Sequence, residues 1–321
     1  RSKADSSMRV ASRLRPRSGA AWQRRLASSS NVEHCWDLLR TADYESYLVL
    51  RLAPSSLQPA LAAIRAFNVE TAVIKDAISG NSDMGRIRIQ FWRELIRDVF
   101  AGTASPKDPV GAALAATLPQ HPLSEEHFMR LLDARDQDLD AREQPESLKG
   151  LESYADQTQA SLLYLYMEML RLDDAERIKT QRLCQNFGRA IGITLSLRAL
   201  PHLVPRKMTS IPFDVAVKHG LYSKTLMDGP KNEKEAEALA GATYDVARLA
   251  HGYLDEGIEL VKELGISSRV QRTLFLSVLG TKQYLETLEK NGFDAYEPDV
   301  FEPRSVSFVL SLWRASLFGP F

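Results

Sequence analysis

Cysteine is almost absent from this chain. Cys35 and Cys184 are the only two, they lie far apart, and neither sits at metal-ligand spacing. A disulfide framework and a multi-cysteine metal site are therefore excluded, and two free thiols fit a reducing compartment. No apolar run approaches the ~20 residues needed to span a bilayer. His34, His121, His127, His202, His219 and His251 are scattered, with no HExxH or paired spacing, so zinc hydrolysis has no ligand set. GxSxG, P-loop and GxGxxG motifs are missing, which leaves hydrolase, NTPase and dinucleotide chemistry without a motif. Alternation of β-branched and aromatic residues never extends beyond a few positions, so no sheet is expected. Charge of one sign is also lacking: 41 Lys and Arg balance 41 Asp and Glu. Eight of the basic residues but a single acid fall in residues 1–30, which leaves 33 basic and 40 acidic residues in the remainder. That mildly acidic body argues against nucleic acid as a partner.

What is present is helical periodicity. Candidate helices cover 55–79, 83–101, 124–143, 151–171, 174–200, 233–264, 268–290 and 305–318. Breakers such as "SGNSD" (79–83), "GTASPKDP" (102–109) and "DGPKNE" (228–233) separate them. Long helices with short loops predict one all-α domain over 31–321. Residues 1–30 are set apart. "MRVASRLRPRSGAAWQRRLASSS" (8–30) holds six arginines and no acid, the composition of a mitochondrial transit peptide, and "RRLAS" resembles a matrix-protease site cut after Leu26. A disordered basic tail is the alternative reading.

Three helices could carry chemistry. In "AIRAFNVETAVIKD" (63–76), two carboxylates one turn apart would grip Mg²⁺, yet only Asp76 is suitably placed, with Ala72 one turn before it. Ser55 or Ser56 could cap this helix. In "LLDARDQDLDARE" (131–143), Asp133, Asp136 and Asp140 share a face, as a cation site or as a solvated face cross-linked by Arg135 and Arg142. In "NFGRAIGITLSLRALPHL" (186–203), Gly188 and Gly192 leave a groove for a close neighbour. Arg189 and Arg198 there are either phosphate ligands or members of internal ion pairs.

The order of "SYLVLRLAP" (46–54), "AIRAFNVETAVIKD", "IQFWRELIRDVFAG" (89–102), "DARDQDLD", "YADQTQASLLYL" (154–165), "FGRAIGITLSLRA" and "IPFDVAVKHGL" (211–221) resembles the squalene/phytoene synthase family across nearly all of residues 44–300. AFNVE and LRAxP look like its non-catalytic mitochondrial branch, which assists assembly of respiratory complex I. The resemblance implies an isoprenoid-synthase-like helical domain around a central cavity. The family's first Asp-rich motif falls on Ala72, Val73, Ile74, Lys75 and Asp76, and its second on Arg198, Ala199, Leu200, Pro201, His202 and Leu203. Four of the family's aspartates are thus replaced, so no metal, no cofactor and no prenyl transfer is expected. Pro201 is expected to end its helix. By the same resemblance Ser46, Arg51, Asp76, Asp133, Asp136, Tyr154, Gln157, Gly188, Arg189 and Arg198 are candidates for a degenerate ligand pocket.

The C-terminal "VSFVLSLWRASLF" (306–318) aligns Val306, Val309, Leu310, Trp313 and Leu317 on one face, with Phe308 and Leu312 on the other. It is too short to span a bilayer, and either packs in the core or docks on a membrane or a membrane-protein partner. The resemblance implies a pseudoenzyme on the matrix side of the mitochondrial inner membrane, in peripheral contact with it. Complex I subunits or assembly intermediates would be its partners, and its task would lie in early biogenesis of the membrane-anchored quinone-side part. A residual prenyl transferase and an isoprenoid- or lipid-binding protein are the alternatives.

Overall fold

Short polar side chains set many of the helix starts. Asp43, Asn81, Asp108, Asp173 and Asn232 each accept a backbone amide from the first turn of the helix that follows, satisfying a donor that the helix itself cannot. The structure, a computed structural model, describes residues 19–78, 81–104, 106–140, 144–301 and 306–320, and all regular structure among the described residues is helical.

Helix Asp174–Leu203 is the axis of the fold. Glu233–Glu263 packs along one side of it, and Leu148–Ala155 and Ser161–Glu168 along another. Gly19–Ala42, Gln58–Ala72 and Pro109–Thr117 form a second group whose mutual faces are apolar. Leu61, Ile64 and Phe67 are fully buried there, and Phe67 meets Trp92 and Phe128 edge-on at 5.3 and 5.4 Å. A smaller apolar cluster of Val49, Leu276, Leu279, Phe308, Leu312 and Ala315 holds the last helix, Val306–Phe318, on the domain.

The close approach of backbone to backbone at the axis follows from the two glycines. A Cβ at Gly188 would stand 2.4 Å from Ala160 Cα, and one at Gly192 would stand 2.7 Å from Ala155 Cα. The neighbour seated in this groove widens into a single π turn, Asp156–Ala160, which splits the expected helix 151–171 into two pieces. The widened turn sends consecutive polar side chains in different directions, which has consequences for the site.

Several boundaries differ from those expected. Helix 55–79 is Gln58–Ala72 followed by a short turn, Ile74–Ala77, and its start carries Pro59 without any side-chain cap from Ser55 or Ser56. Pro201 does not end its helix, which runs on to Leu203. So near the terminus the proline deprives only one carbonyl, that of Leu197, of its amide. Helix 268–290 breaks at 275–277. The break lets Phe275 bury in the main core and the adjacent Leu276 in the smaller cluster. Helix 124–143 ends at Asp138, and Arg142 lies outside the described residues. Helices Tyr44–Arg51 and Pro109–Thr117 were not anticipated, because both are too short for a clear period. Of the expected transit segment, residues 1–18 lie outside the described residues, and 19–30 begin helix Gly19–Ala42.

Candidate functional site

Helices Tyr44–Arg51, Gln58–Ala72, Ser161–Glu168 and Asp174–Leu203, with residues of 273–281 and the start of the last helix, enclose a cavity of about 870 Å³. That volume suits a small molecule. Leu50, Val69, Leu162, Leu163, Ile191 and Leu274 give it an apolar wall, and all are buried. Much of the rim is apolar too. Tyr44, Val73, Leu195 and Val309 line the opening and are exposed to solvent.

Polar groups are few and arranged in pairs. Asp43 both caps helix Tyr44–Arg51 through Ser46 N at 3.3 Å and accepts from Arg65 Nε at 2.6 Å. Burial works against the charge of Arg65, but the Asp43 carboxylate outweighs it and holds its pKa above the ordinary arginine value. Arg65 also reaches Gln159 Oε1 at 3.4 Å, a residue turned inward by the π turn. At the mouth, Arg198 donates to Glu45 at 2.8 Å and lies over the Tyr284 ring at 5.9 Å. Room for Glu45 is made by Gly280, where a Cβ would fall 1.6 Å from Glu45 Oε1. Asn68, Tyr166, Thr194, Thr273 and Thr281 supply further buried polarity. Burial pushes the Tyr166 hydroxyl up to about 12, so it is a neutral hydrogen-bonding group.

The two helices that carry the Asp-rich motifs in the resembled enzymes both face this cavity, through Ala72 and Val73 on one and Arg198, Ala199 and His202 on the other. Mg²⁺ needs oxygen ligands in near-octahedral array. The methyl groups and one imidazole at those positions do not fit it, and the two carboxylates of the cavity, Asp43 and Glu45, are held by Arg65 and Arg198. Among the described residues no group of three or more His, Cys, Asp or Glu converges as a metal site.

Of the ten pocket candidates, the structure brings Ser46 and Arg198 to the cavity. Asp76 instead points to Arg206 at 2.6 Å, half exposed. Lys75 beside it ties to Asp138 at 3.0 Å. Asp133 and Asp136 are clamped by Arg93 at 2.7 and 2.9 Å, and Asp140 pairs with Arg86. The cross-link therefore comes from helix Ser82–Ala101 and not from Arg135, which turns inward to the Tyr154 hydroxyl. Burial pushes that hydroxyl up to about 12. Arg189 joins Asp156 at 3.0 Å and Tyr253 at 3.3 Å, and Asp156 also takes Arg130. Gln157 donates to Ser153 at 2.9 Å. Arg51 sits over the Trp36 ring at 5.1 Å on the outside of its helix. Gly188 serves the helix crossing described above.

The cavity residues passed over in the sequence are Asp43, Glu45, Arg65, Gln159 and Thr194. Arg65 had a signal, as one cation in the otherwise apolar "ALAAIRAF". Glu45 had none, because only tertiary packing brings it to Arg198.

On the last helix, Phe308, Leu312 and Ala315 are buried against the domain. Val309, Leu310, Trp313 and Leu317 stay on the outside, with Leu310 and Trp313 each 61% exposed. The side chain of Val306 lies outside the described residues.

Comparison with known proteins agrees with this architecture. Residues 39–314 match the Squalene/phytoene synthase family. A Rattus norvegicus protein named NADH dehydrogenase (ubiquinone) complex I, assembly factor 6 is 32% identical over 88% of this chain and 81% of its own length. The Homo sapiens protein of that name is 30% identical over the same shares, and a Dictyostelium discoideum homolog is 28% identical over 85% of this chain and 74% of its own length. In fold, the chain resembles a dehydrosqualene synthase crystallised with a ligand, with a TM-score of 0.74, 17% identity, and coverage of 92% of this chain and 98% of that one. It also resembles squalene synthase HpnC from Alicyclobacillus acidocaldarius, with a TM-score of 0.68, 19% identity and coverage of 84% and 96%. The chain belongs to the squalene/phytoene synthase family, within the group of complex I assembly factor 6 proteins.

Proposed function

We propose that this protein assists assembly of mitochondrial respiratory complex I as a pseudoenzyme of its family. It works at the matrix face of the inner membrane, by binding and stabilising a subunit or an intermediate of the membrane-anchored quinone-side part. The assembly role rests on relatives that carry that name at 30–32% identity over 81% of their length. One structural observation carries the pseudoenzyme reading. Where the resembled synthases present carboxylates to the cavity, this chain presents Ala72, Val73 and Ala199. Ionising an allylic diphosphate needs a metal to stabilise the charge that develops on the leaving group, and no oxygen ligands stand there to hold one. The outward stripe of helix Val306–Phe318 supports peripheral contact with the membrane. The described outward side chains hold Arg314 as a cation and no acid, and tryptophan favours the bilayer interface.

The test has two arms. In cells lacking their own complex I assembly factor 6, expression of the full chain should restore assembled complex I on native gels. Failure of correctly imported protein to restore it removes the assembly role. Separately, the purified chain should give no Mg²⁺-dependent product from farnesyl or geranylgeranyl diphosphate. Reproducible product, lost on Asp76→Ala or Asp133→Ala, removes the pseudoenzyme reading.

A further inference from the structure

We propose that the cavity binds a long-chain amphiphile through an uncharged hydrogen-bonding head group, and that Asp43 and Glu45 exclude the phosphate or diphosphate head. This binding role lies beyond the assembly role and stands independently of it.

Both arginines that line the cavity already hold a carboxylate of the chain itself. Arg65 has Asp43 at 2.6 Å, and Arg198 has Glu45 at 2.8 Å. Both carboxylates come from one short stretch at the start of helix Tyr44–Arg51 and line the cavity themselves. A phosphate entering there would have to displace an intramolecular partner and would stand beside two like charges. Glu45 is seated by design of the backbone, since Gly280 opens the space that its carboxylate fills. The interior also holds a polar atom with no partner among the described residues. Thr194 Oγ1 belongs to a side chain only 1% exposed, on a wall of the cavity. A threonine within a helix ordinarily returns its hydroxyl to a carbonyl one turn back. Left unsatisfied, such a group is costly, and a ligand hydroxyl or carbonyl would satisfy it. The apolar wall and the exposed apolar rim of Tyr44, Val73, Leu195 and Val309 suit the entry of an alkyl or prenyl tail.

The experiment uses the full chain with Nile red as a neutral fluorescent probe, displaced by dodecanol or by dodecyl phosphate, which share one tail and differ only in the head. Dodecanol should displace the dye at a concentration at least about tenfold lower than dodecyl phosphate. Millimolar Mg²⁺ should leave that ratio unchanged. Glu45→Gln frees Arg198 of its counter-charge and should narrow the ratio several-fold, with the gain on the phosphate side. Gly280→Ala displaces Glu45 without changing any charge and should act in the same direction. Thr194→Val, nearly the same in shape, should weaken dodecanol several-fold. Equal or tighter binding of dodecyl phosphate by the unaltered chain would overturn the proposal, as would failure of both ligands to displace the dye. An unchanged ratio in both Glu45→Gln and Gly280→Ala, with folding intact by circular dichroism, would overturn the role given to Glu45.

Discussion

Glu45 and Arg198 meet at 2.8 Å across the mouth of the cavity, although 153 residues separate them in the chain. Arg198 is the one polar residue of the second motif, as the family resemblance maps it, that retains its place on the cavity wall with a charge. Its counter-ion is supplied from within the chain, by the helix that also provides Asp43 to Arg65. The charge of Arg198 is thus met within the chain, while the surrounding helices line the cavity.

Because the one carboxylate left at the motif positions, Asp76, is paired with Arg206 away from the cavity, millimolar Mg²⁺ should leave the melting temperature of the full chain unchanged apart from a general ionic-strength effect that Na⁺ reproduces. Binding of a specific ion to the native state would raise it in a saturable way. A saturable rise specific to Mg²⁺, read by differential scanning fluorimetry, would show a metal site among groups that the cavity does not suggest.

The glycine groove on the central helix should be intolerant of a single methyl. At Gly188 an added Cβ meets the backbone of Ala160 at 2.4–2.5 Å, and backbone cannot rotate away. Overpacking of this kind costs about 1–3 kcal/mol, against about 1 kcal/mol returned by the better helix propensity of alanine. Gly188→Ala should therefore destabilise the fold in urea denaturation. Gly252→Ala, on an open helix face with nothing within 4 Å, should be neutral or slightly stabilising.

The last helix should separate folding from docking. Leu312→Ala removes a buried anchor and should loosen the helix, with earlier proteolysis and faster hydrogen exchange over 306–318. Trp313→Ser and Leu310→Ser change exposed positions and should leave the melting temperature within about a degree or two. If the stripe docks on the membrane, the same two changes should move the protein from the membrane pellet to the soluble fraction of lysed mitochondria. Undiminished pelleting in the double variant would remove this face as the membrane contact.

Acid stability should report on Asp245. Burial alone would raise its pKa, but Lys218 at 2.6 Å and His219 at 2.7 Å outweigh that, and the net shift is downward. A carboxyl depressed in the folded state stabilises fully above its unfolded value, about 3.9, and the benefit disappears as pH falls through the lower folded value. The stability gap between the parent chain and Asp245→Asn should therefore shrink as pH falls below about pH 4. A gap that widens below about pH 4 would contradict this sign.

Both thiols should be silent in the native protein. Cys35 and Cys184 are fully buried and free, and burial pushes Cys35 up to about 12 and Cys184 higher still. Alkylation at neutral pH should then follow opening of the core, so two labels should appear together in urea and neither in buffer.

Much of the candidate site was hidden in the sequence because its members are isolated there. Arg189 and Asp156 are separated by 33 residues, and only the π turn aims Asp156 at Arg189 while Gln159 faces the cavity. Asp133 and Asp136 were legible as a shared face, but their partner Arg93 sits 40 or more residues away on a helix whose rotation the sequence leaves open. Gly188 and Gly192 were legible in full, since two glycines one turn apart on a long helix have a direct steric meaning, and the structure seats a backbone against both.

The sequence by itself determined the helical class, the long central helix and its groove, the single carboxylate, Asp76, left at the positions that the resemblance maps to the motifs, and a last helix apolar on two faces. Each of these follows from local periodicity or residue chemistry, which needs no knowledge of neighbours. Only the tertiary structure decided that Glu45 and Asp43 neutralise the two cavity arginines, that Thr194 Oγ1 has no partner among the described residues, and that the outer stripe of the last helix faces solvent. Those are pairings between distant segments. Side-chain charge and apolarity are written in the chain, but the distance over which they act is set by how the helices pack.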